Sequence, residues 1–340
     1  MEGKIQSAAI FLLAANSVNS KQNGSFVLCV PHFVQRPFVI LDALFVQKHM
    51  KPLRISIVQY LNTAPLVRGF THGPLRGKYE LSFTVPSQCA EALRNGEVDM
   101  AIIPAIELQR IDGLVVLPNL SIASKRLVRS LLLVSKRPMH EVRRIALDRS
   151  SRSTQALLRI LCAKHWHIAP EFFEADPDLG EMLQGADAAL LIGDPALRLA
   201  LQSTPAQLAT TPAAAPLFYY DIVEKWRILT GFPAVLAVWA TRAGVATPEV
   251  VRDFQNSLVF GLGHIDEIAN EASRELKLPA EKLASYLTAN IDYTLDAENL
   301  RGLQRYFSLA AELGLIREAK RIEFAAGAVL SQDFVAARES

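Results

Sequence analysis

The sequence predicts an α/β protein of two lobes joined by two hinge crossovers. Three observations carry this. The chain has 340 residues, half of them apolar, enough for two compact lobes. Short apolar runs that suit buried strands alternate with helix-start signals along most of its length. Finally, two strongly apolar strands, Ser130 to Ser135 and Val235 to Ala240, flank a middle α/β block, as strands at two passages between lobes would. The expected division is residues 52–136 plus 236–327 for a discontinuous first lobe and 137–235 for the second.

The elements follow in order. Ile55, Ile57 and Val58 mark a first strand, and Asn62-Thr63-Ala64-Pro65 turns it into a helix, with Thr63 as N-cap and Pro65 in the first turn. Glu80 to Val85 reads as a strand, Ser87 as the cap of a helix that Gly96 stops, and Asp99 to Ile103 as a buried strand ending at Pro104-Ala105. Consecutive right-handed units of this kind bring Asn62, Ser87 and Pro104 to one sheet edge, where ligands of open α/β sheets collect. Leu114 to Leu117 and Val128 to Val134 are expected as further strands.

In the second lobe, a strand over Arg143 to Leu147 runs into Asp148-Arg-Ser-Ser-Arg-Ser-Thr154 and a helix to Lys164. This hydroxyl-rich helix start offers unpaired N–H groups, the positive dipole end and the hydroxyls of Ser151, Ser153 and Thr154 to one oxyanion, with Arg152 adding charge. A plain serine-rich cap is the simpler reading of the same residues. No phosphate-loop pattern is present, so a carboxylate fits better than a nucleotide. Strands over Glu171 to Glu174 and Asp187 to Ile192 follow, the latter ending Gly193-Asp194-Pro195, where Asp194 reads as a helix cap or a base. An Ala/Pro/Thr-rich loop spans Ala206 to Ala215, and a helix runs from Ile222 to Leu229. Beyond the return strand the chain reads as helices, Thr247 to Gly261, Ile265 to Leu276, Ala280 to Leu287 and Asp296 to Leu313, with fraying expected after residue 327.

Composition narrows the function classes. The formal net charge is +2 with acids and bases interspersed, which argues against nucleic-acid binding and stable membrane association. The three cysteines, Cys29, Cys89 and Cys162, form no CxxC pair, and the seven histidines show no metal-ligand spacing, so no metal site is expected. Residues 1–49 do not resemble the rest: Ala8 to Ala15 faintly suggests a signal peptide but is too short to span a bilayer. The preferred expectation is an extraneous or disordered leader ahead of a start at Met50, with an export signal as the alternative. Oligomeric state is not legible.

Several ordered segments carry a resemblance. They include Tyr60-Leu-Asn-Thr-Ala-Pro-Leu66, Val85-Pro-Ser-Gln-Cys89, Gly96 to Pro104, Ile122-Ala-Ser124 with Val128-Arg-Ser130, Ala146 to Arg152, Ala188 to Ala196, Asp221 with Glu224-Lys-Trp226, and Ala237-Val-Trp239. Together they resemble the chorismate dehydratases of the futalosine route to menaquinone, over about residues 52–325. The chain departs from the family pattern in three places: Gln88 stands where Glu is common, Gln59 where Ser is usual, and Lys125-Arg126-Leu127 replaces a Gly-Pro-like stretch. The resemblance implies a type II periplasmic-binding-protein-like fold used by a cytoplasmic hydro-lyase that needs no cofactor, with chorismate as substrate.

On that reading Asn62 and Ser87 are candidate catalytic residues. Thr63, Arg129, Ser130, Ser151, Arg152, Ser153, Thr154 and Asp194 are candidate substrate contacts. Ser151 to Thr154 would take one carboxylate; Asn62, Ser87 and Ser130 would take the other and the leaving hydroxyl. Asp194 and Glu107 are candidate bases, and the substrate's own enolpyruvyl carboxylate is another. Competing expectations are an exported solute-binding protein for a small carboxylate, the related later futalosine-pathway enzyme, and a ligand-sensing regulator. The placement test is geometric: Asn62 and Ser151 must face one another across a gap.

Overall fold

The computed structural model describes residues 51–202 and 217–325. The expectations for the leader, for Cys29, for the loop over Ala206 to Ala215 and for fraying after residue 327 fall outside the described residues.

The first lobe starts as three βα-type units. Strand β1 (Arg54–Val58) leads through a single 3-10 turn, Leu61–Thr63, into helix α1 (Ala64–Thr71). Strand β2 (Glu80–Thr84) leads into α2 (Pro86–Arg94), and β3 (Met100–Pro104) into a 3-10 turn at Ala105–Gln109. The fully buried apolar run of β3 fits a strand covered on both faces. Strand β4 (Leu114–Ser124) then carries the chain toward the second lobe.

There, β5 (Leu131–Ser135), β6 (Arg144–Asp148), α3 (Ser153–Lys164), β7 (Glu171–Ala175), α4 (Leu179–Gly185), β8 (Ala188–Ile192), α5 (Gly193–Gln202), β9 (Phe218–Asp221) and α6 (Ile222–Thr230) succeed one another. Strand β10 (Ala234–Arg242) returns to the first sheet. Helices α7 (Pro248–Leu262), α8 (Ile265–Leu276), α9 (Ala280–Ser285) and α10 (Ala297–Glu312) complete the first lobe, with a π turn at Tyr286–Asn290 after α9.

Two five-stranded sheets result, ordered β2-β1-β3-β10-β4 and β7-β6-β8-β5-β9. In each, the three strands on the βα side run parallel, while the strand that has come from the other lobe pairs antiparallel: β10 with β3, and β5 with β8. The two α/β lobes are therefore joined by two crossovers, at residues 125–130 and 222–233. Trp226 at the second crossover is buried, and its indole N–H donates to the Pro233 carbonyl at 3.0 Å.

Several sequence expectations need correction. Thr63 precedes α1 but its side chain caps nothing; its hydroxyl turns to Asn62 instead. Ser87 is not the cap of α2, which starts at Pro86 behind Val85 with no side-chain cap. Strand β4 runs on past Leu117 to Ser124, because Asn119 takes a left-handed conformation (φ 60°) and a bulge absorbs the irregularity without ending the pairing. Strand β5 starts at Leu131 and not at Val128, because the Asp221 carboxylate accepts the N–H groups of Val128 (3.0 Å) and Arg129 (2.7 Å). Helix α5 already begins at Gly193, so Asp194 lies in its first turn.

Candidate active site

The first wall of the cleft is the turn after β1. Gln59 is still tied to the sheet, donating to the Thr84 carbonyl at 2.9 Å, and Tyr60 remains extended. The 3-10 turn then closes with Thr63 N–H on the Tyr60 carbonyl at 3.0 Å. Pro65 favours the helical start that follows, since its missing N–H would have found no partner there. Asn62 is buried in this turn, and its Oδ1 accepts the Thr63 hydroxyl at 3.4 Å. The side-chain amide N–H groups of Asn62 are then the end left for other partners.

The facing wall is built on a buried carboxylate. Asp148, at the end of β6, is wholly enclosed. Its Oδ1 accepts the Ser150 N–H (2.9 Å) and hydroxyl (2.6 Å), and its Oδ2 accepts the Ile192 N–H (3.3 Å). Burial pushes its pKa up, while the Ser150 and Ile192 donors pull the other way. The loop 149–152 folds around this anchor and delivers Ser151, Ser153 and Thr154, all buried, to the N-terminus of α3. The first-turn N–H groups of a helix have no intrahelical acceptor, so this end is electropositive and suits an anion.

Between the walls lies a cavity of about 60 Å³. Asn62 and the run Ser151 to Thr154 line it together, and Val58, Ile122, Leu131, Ile192 and Leu236 make most of the rest apolar. A few convergent polar groups in an apolar chamber are what a small-molecule site needs. The cavity is small because the lobes are closed. Tyr60 hydroxyl meets Ser150 Oγ at 3.2 Å, Leu61 N–H donates to Asp194 at 3.0 Å, Ser87 N–H to the Ser150 carbonyl at 3.1 Å, and Ile106 N–H to Ser153 Oγ at 3.2 Å.

The other candidate residues are distributed as follows. Ser87 approaches through its backbone, beside Pro86, which does line the cavity. Gln88, the departure from the family pattern, is exposed and accepts the Thr84 hydroxyl away from the cavity. Arg129 is exposed, with left-handed backbone (φ 61°), and is not among the cavity-lining residues. Ser130 is buried at the first crossover beside the cavity-lining Leu131 but is not itself among the lining residues; its hydroxyl accepts from Tyr286 at 2.9 Å.

Arg152 lines the cavity but is already paired across the cleft with Glu91 and, at 3.1 Å, Glu107. Glu107 is fully enclosed and also receives Arg94 and Arg110, so it is held as a structural anion. Thr63 and Asp194 line a neighbouring pocket of about 390 Å³, which Val58 and Tyr60 separate from the cleft by lining both. Burial raises Asp194 to about 6, against the pull of the Leu61 N–H. Sequence reading passed over three residues that the geometry brings forward: Asp148 as the loop anchor, Tyr60 as the partition, and Tyr286 behind Ser130. Among the described residues no group of three His, Cys, Asp or Glu is placed to hold a metal ion, and no helix is long and apolar enough to cross a membrane.

Comparisons with known proteins fit this architecture. The solved structure of protein AF1704 from Archaeoglobus fulgidus matches with a TM-score of 0.63 at 19% identity, over 79% of this chain and all of that one. The periplasmic aliphatic sulphonate binding protein SsuA from Escherichia coli matches with a TM-score of 0.53 at 18% identity, over 84% of this chain and 99% of its own. The fold is thus periplasmic-binding-protein-like, which leaves function open. A chorismate dehydratase from Thermus thermophilus is 30% identical over 274 residues, covering 78% of this chain and 97% of that protein. A family model described as menaquinone biosynthesis matches residues 53–312, and the chain belongs to that family.

Proposed function

We propose that this protein is a chorismate dehydratase, a cytoplasmic hydro-lyase that converts chorismate into 3-[(1-carboxyvinyl)oxy]benzoate and water in menaquinone biosynthesis by the futalosine route. The observation that carries the reading is the cavity itself: Asn62 faces the Ser151 to Thr154 helix start across an apolar chamber. The Thermus relative and the family match support the same assignment.

The chemistry asks little of the protein beyond placement. The hydrogen on the ether-bearing ring carbon is vinylogous to the ring carboxylate. Its removal delocalises the electron pair into that carboxylate as a dienolate. The adjacent C–O bond then breaks, the pair forms the last ring double bond, and the departing hydroxide leaves as water with a proton. Atoms and electrons balance without an oxidant. The helix start at Ser151 to Thr154 would hold one carboxylate, and Asn62 with Ser130 would serve the other carboxylate and the leaving oxygen. Stabilising the charge that develops in a dry, preorganised chamber is the main rate-raising device.

Among the described residues lining the cavity there is no Asp, Glu or His. Glu107 is engaged by three arginines and Asp194 faces the neighbouring pocket. This favours the substrate's enolpyruvyl carboxylate as proton acceptor. Substrate entry requires the lobes to part, and reclosure excludes water. The test is to incubate purified protein with chorismate and no added cofactor, following the aromatic enol ether by absorbance and mass. Its appearance supports the assignment; chorismate bound but recovered unchanged would favour a solute-binding role and overturn it.

A further inference from the structure

The helix α9 does not end cleanly. It widens into the π turn Tyr286–Asn290, an uncommon geometry that often accompanies functional sites. The turn reaches the first crossover at two points. The Asn290 amide donates to the Leu127 carbonyl at 3.1 Å, and the Tyr286 hydroxyl donates to Ser130 Oγ at 2.9 Å. Tyr286 is almost wholly buried, and the Asn62 side chain lies within interaction range of the same phenol oxygen. The far side of Ser130 is fixed as well, because its carbonyl accepts the Gly193 N–H at 2.8 Å. One phenol therefore bonds Ser130, which lies just before the cavity-lining Leu131, and has the cavity-lining Asn62 within range on its other side.

The direction of these hydrogen bonds matters. A serine hydroxyl has one hydrogen; when it accepts from Tyr286, that hydrogen is released for another acceptor. The substrate of the proposed reaction presents two carboxylates and a departing oxygen, all of which need donors. Burial raises the Tyr286 phenol far above neutral pH, so it stays protonated and its donor role does not reverse.

We propose that Tyr286 is a positioning residue for the dehydration, fixing Ser130 as an onward hydrogen-bond donor and holding the Asn62 amide in place. The inference rests on the proposed chorismate dehydratase activity. It is tested with Tyr286→Phe, which removes one oxygen and keeps the ring. Turnover of chorismate is expected to fall about ten- to a hundred-fold in kcat with KM changed less than about three-fold. Ser130→Ala is expected to cost a similar factor, and the double variant no more than the worse single one, because both remove the same donor. A kcat for Tyr286→Phe within two-fold of wild type, or losses that multiply in the double variant, would overturn the inference.

A second measurement does not depend on turnover. In spectra of protein labelled with 15N-asparagine, the Asn62 side-chain amide pair, assigned by its loss in Asn62→Ala, is expected to shift in Tyr286→Phe. It should stay in place in Tyr293→Phe, a neighbouring buried tyrosine whose hydroxyl meets no protein partner among the described residues. An unmoved Asn62 pair in Tyr286→Phe would also overturn the inference. Should wild-type protein leave chorismate intact, the proposed activity fails, and the spectral comparison still decides separately whether Tyr286 holds the Asn62 amide.

Discussion

A β-carbon placed on Gly193 would lie 2.6 Å from three carbons of the Tyr60 ring. The ring of a first-lobe residue thus rests directly on second-lobe backbone, at a glycine in the left-handed region (φ 65°). Gly193→Ala meets both obstacles, conformational strain and a collision at the lobe contact. The expected result is a loss of about ten- to a hundred-fold in kcat/KM toward chorismate, since a displacement of about 1 Å at a closing site can cost that much. Steady-state kinetics check this; unchanged kcat/KM would show that Tyr60 need not settle on Gly193 for turnover.

Asn62 lines the cleft with its amide end, beside the Tyr286 phenol, while its Oδ1 accepts the Thr63 hydroxyl. Asn62→Ala should lower kcat by about one to three decades, the range for removal of one donor to developing negative charge. The melting temperature should change little by comparison. Turnover equal to wild type would remove Asn62 from the mechanism.

Glu107 joins both lobes through arginines: Arg94 and Arg110 from its own lobe and Arg152 from the other. It is completely enclosed, whereas the arginines keep part of their side chains in water. Glu107→Gln leaves three cations without their common anion and should destabilise the protein by about 2–4 kcal/mol, somewhat below the roughly 3–5 kcal/mol of breaking a fully enclosed pair because the arginines keep water contact. Urea unfolding measures it. A change below about 0.5 kcal/mol, the size of an ordinary surface substitution, would contradict the assigned role.

Asp194 sets a pH dependence. Burial raises it to about 6 from an ordinary carboxylate value near 3.8. Between those values the folded protein holds a proton that the unfolded chain has released, so stability falls as pH rises through this window. Below the window both states are protonated and the contribution to stability is fully present; above it the contribution has been lost. Asp194→Asn keeps an acceptor for the Leu61 N–H and removes the titration. The difference in melting temperature, wild type minus Asp194→Asn, should therefore decline from pH 4 to pH 6 and then level off. A rising or flat difference would refute the assignment.

Much of the fold was legible because its signals are local. The buried run of β3, the Pro65 helix start and the Asp-headed helix α10 all show in a few residues of sequence. Elements governed by distant partners were read less well. The start of β5 is set by Asp221, more than ninety positions away, whose carboxylate takes the Val128 and Arg129 N–H groups. The hydroxyl-rich stretch at Ser151 to Thr154 stood out by composition, and the structure brings it to the same cavity as Asn62. Tyr286 did not stand out, because at helical spacing it looks like any core aromatic. Its distinction comes from the π turn and from meeting Ser130, which no pattern within the 280–287 stretch encodes. Arg152 shows the opposite limit: its charge was evident, but its partners, Glu91 and Glu107, were not.

The two strands that leave the first sheet are bonded to one another, Ser124 opposite Ala234, and so are those that enter the second, Leu132 opposite Asp221. Between these two rungs the passages differ: one is a short irregular stretch, the other is helix α6, and the Asp221 carboxylate at the start of that helix holds the Val128 and Arg129 N–H groups of its neighbour. The joint is thus stapled at both ends, so sliding one passage past the other would have to break these bonds. Bending both passages together leaves the staples intact, which makes a hinge swing easier than a shear.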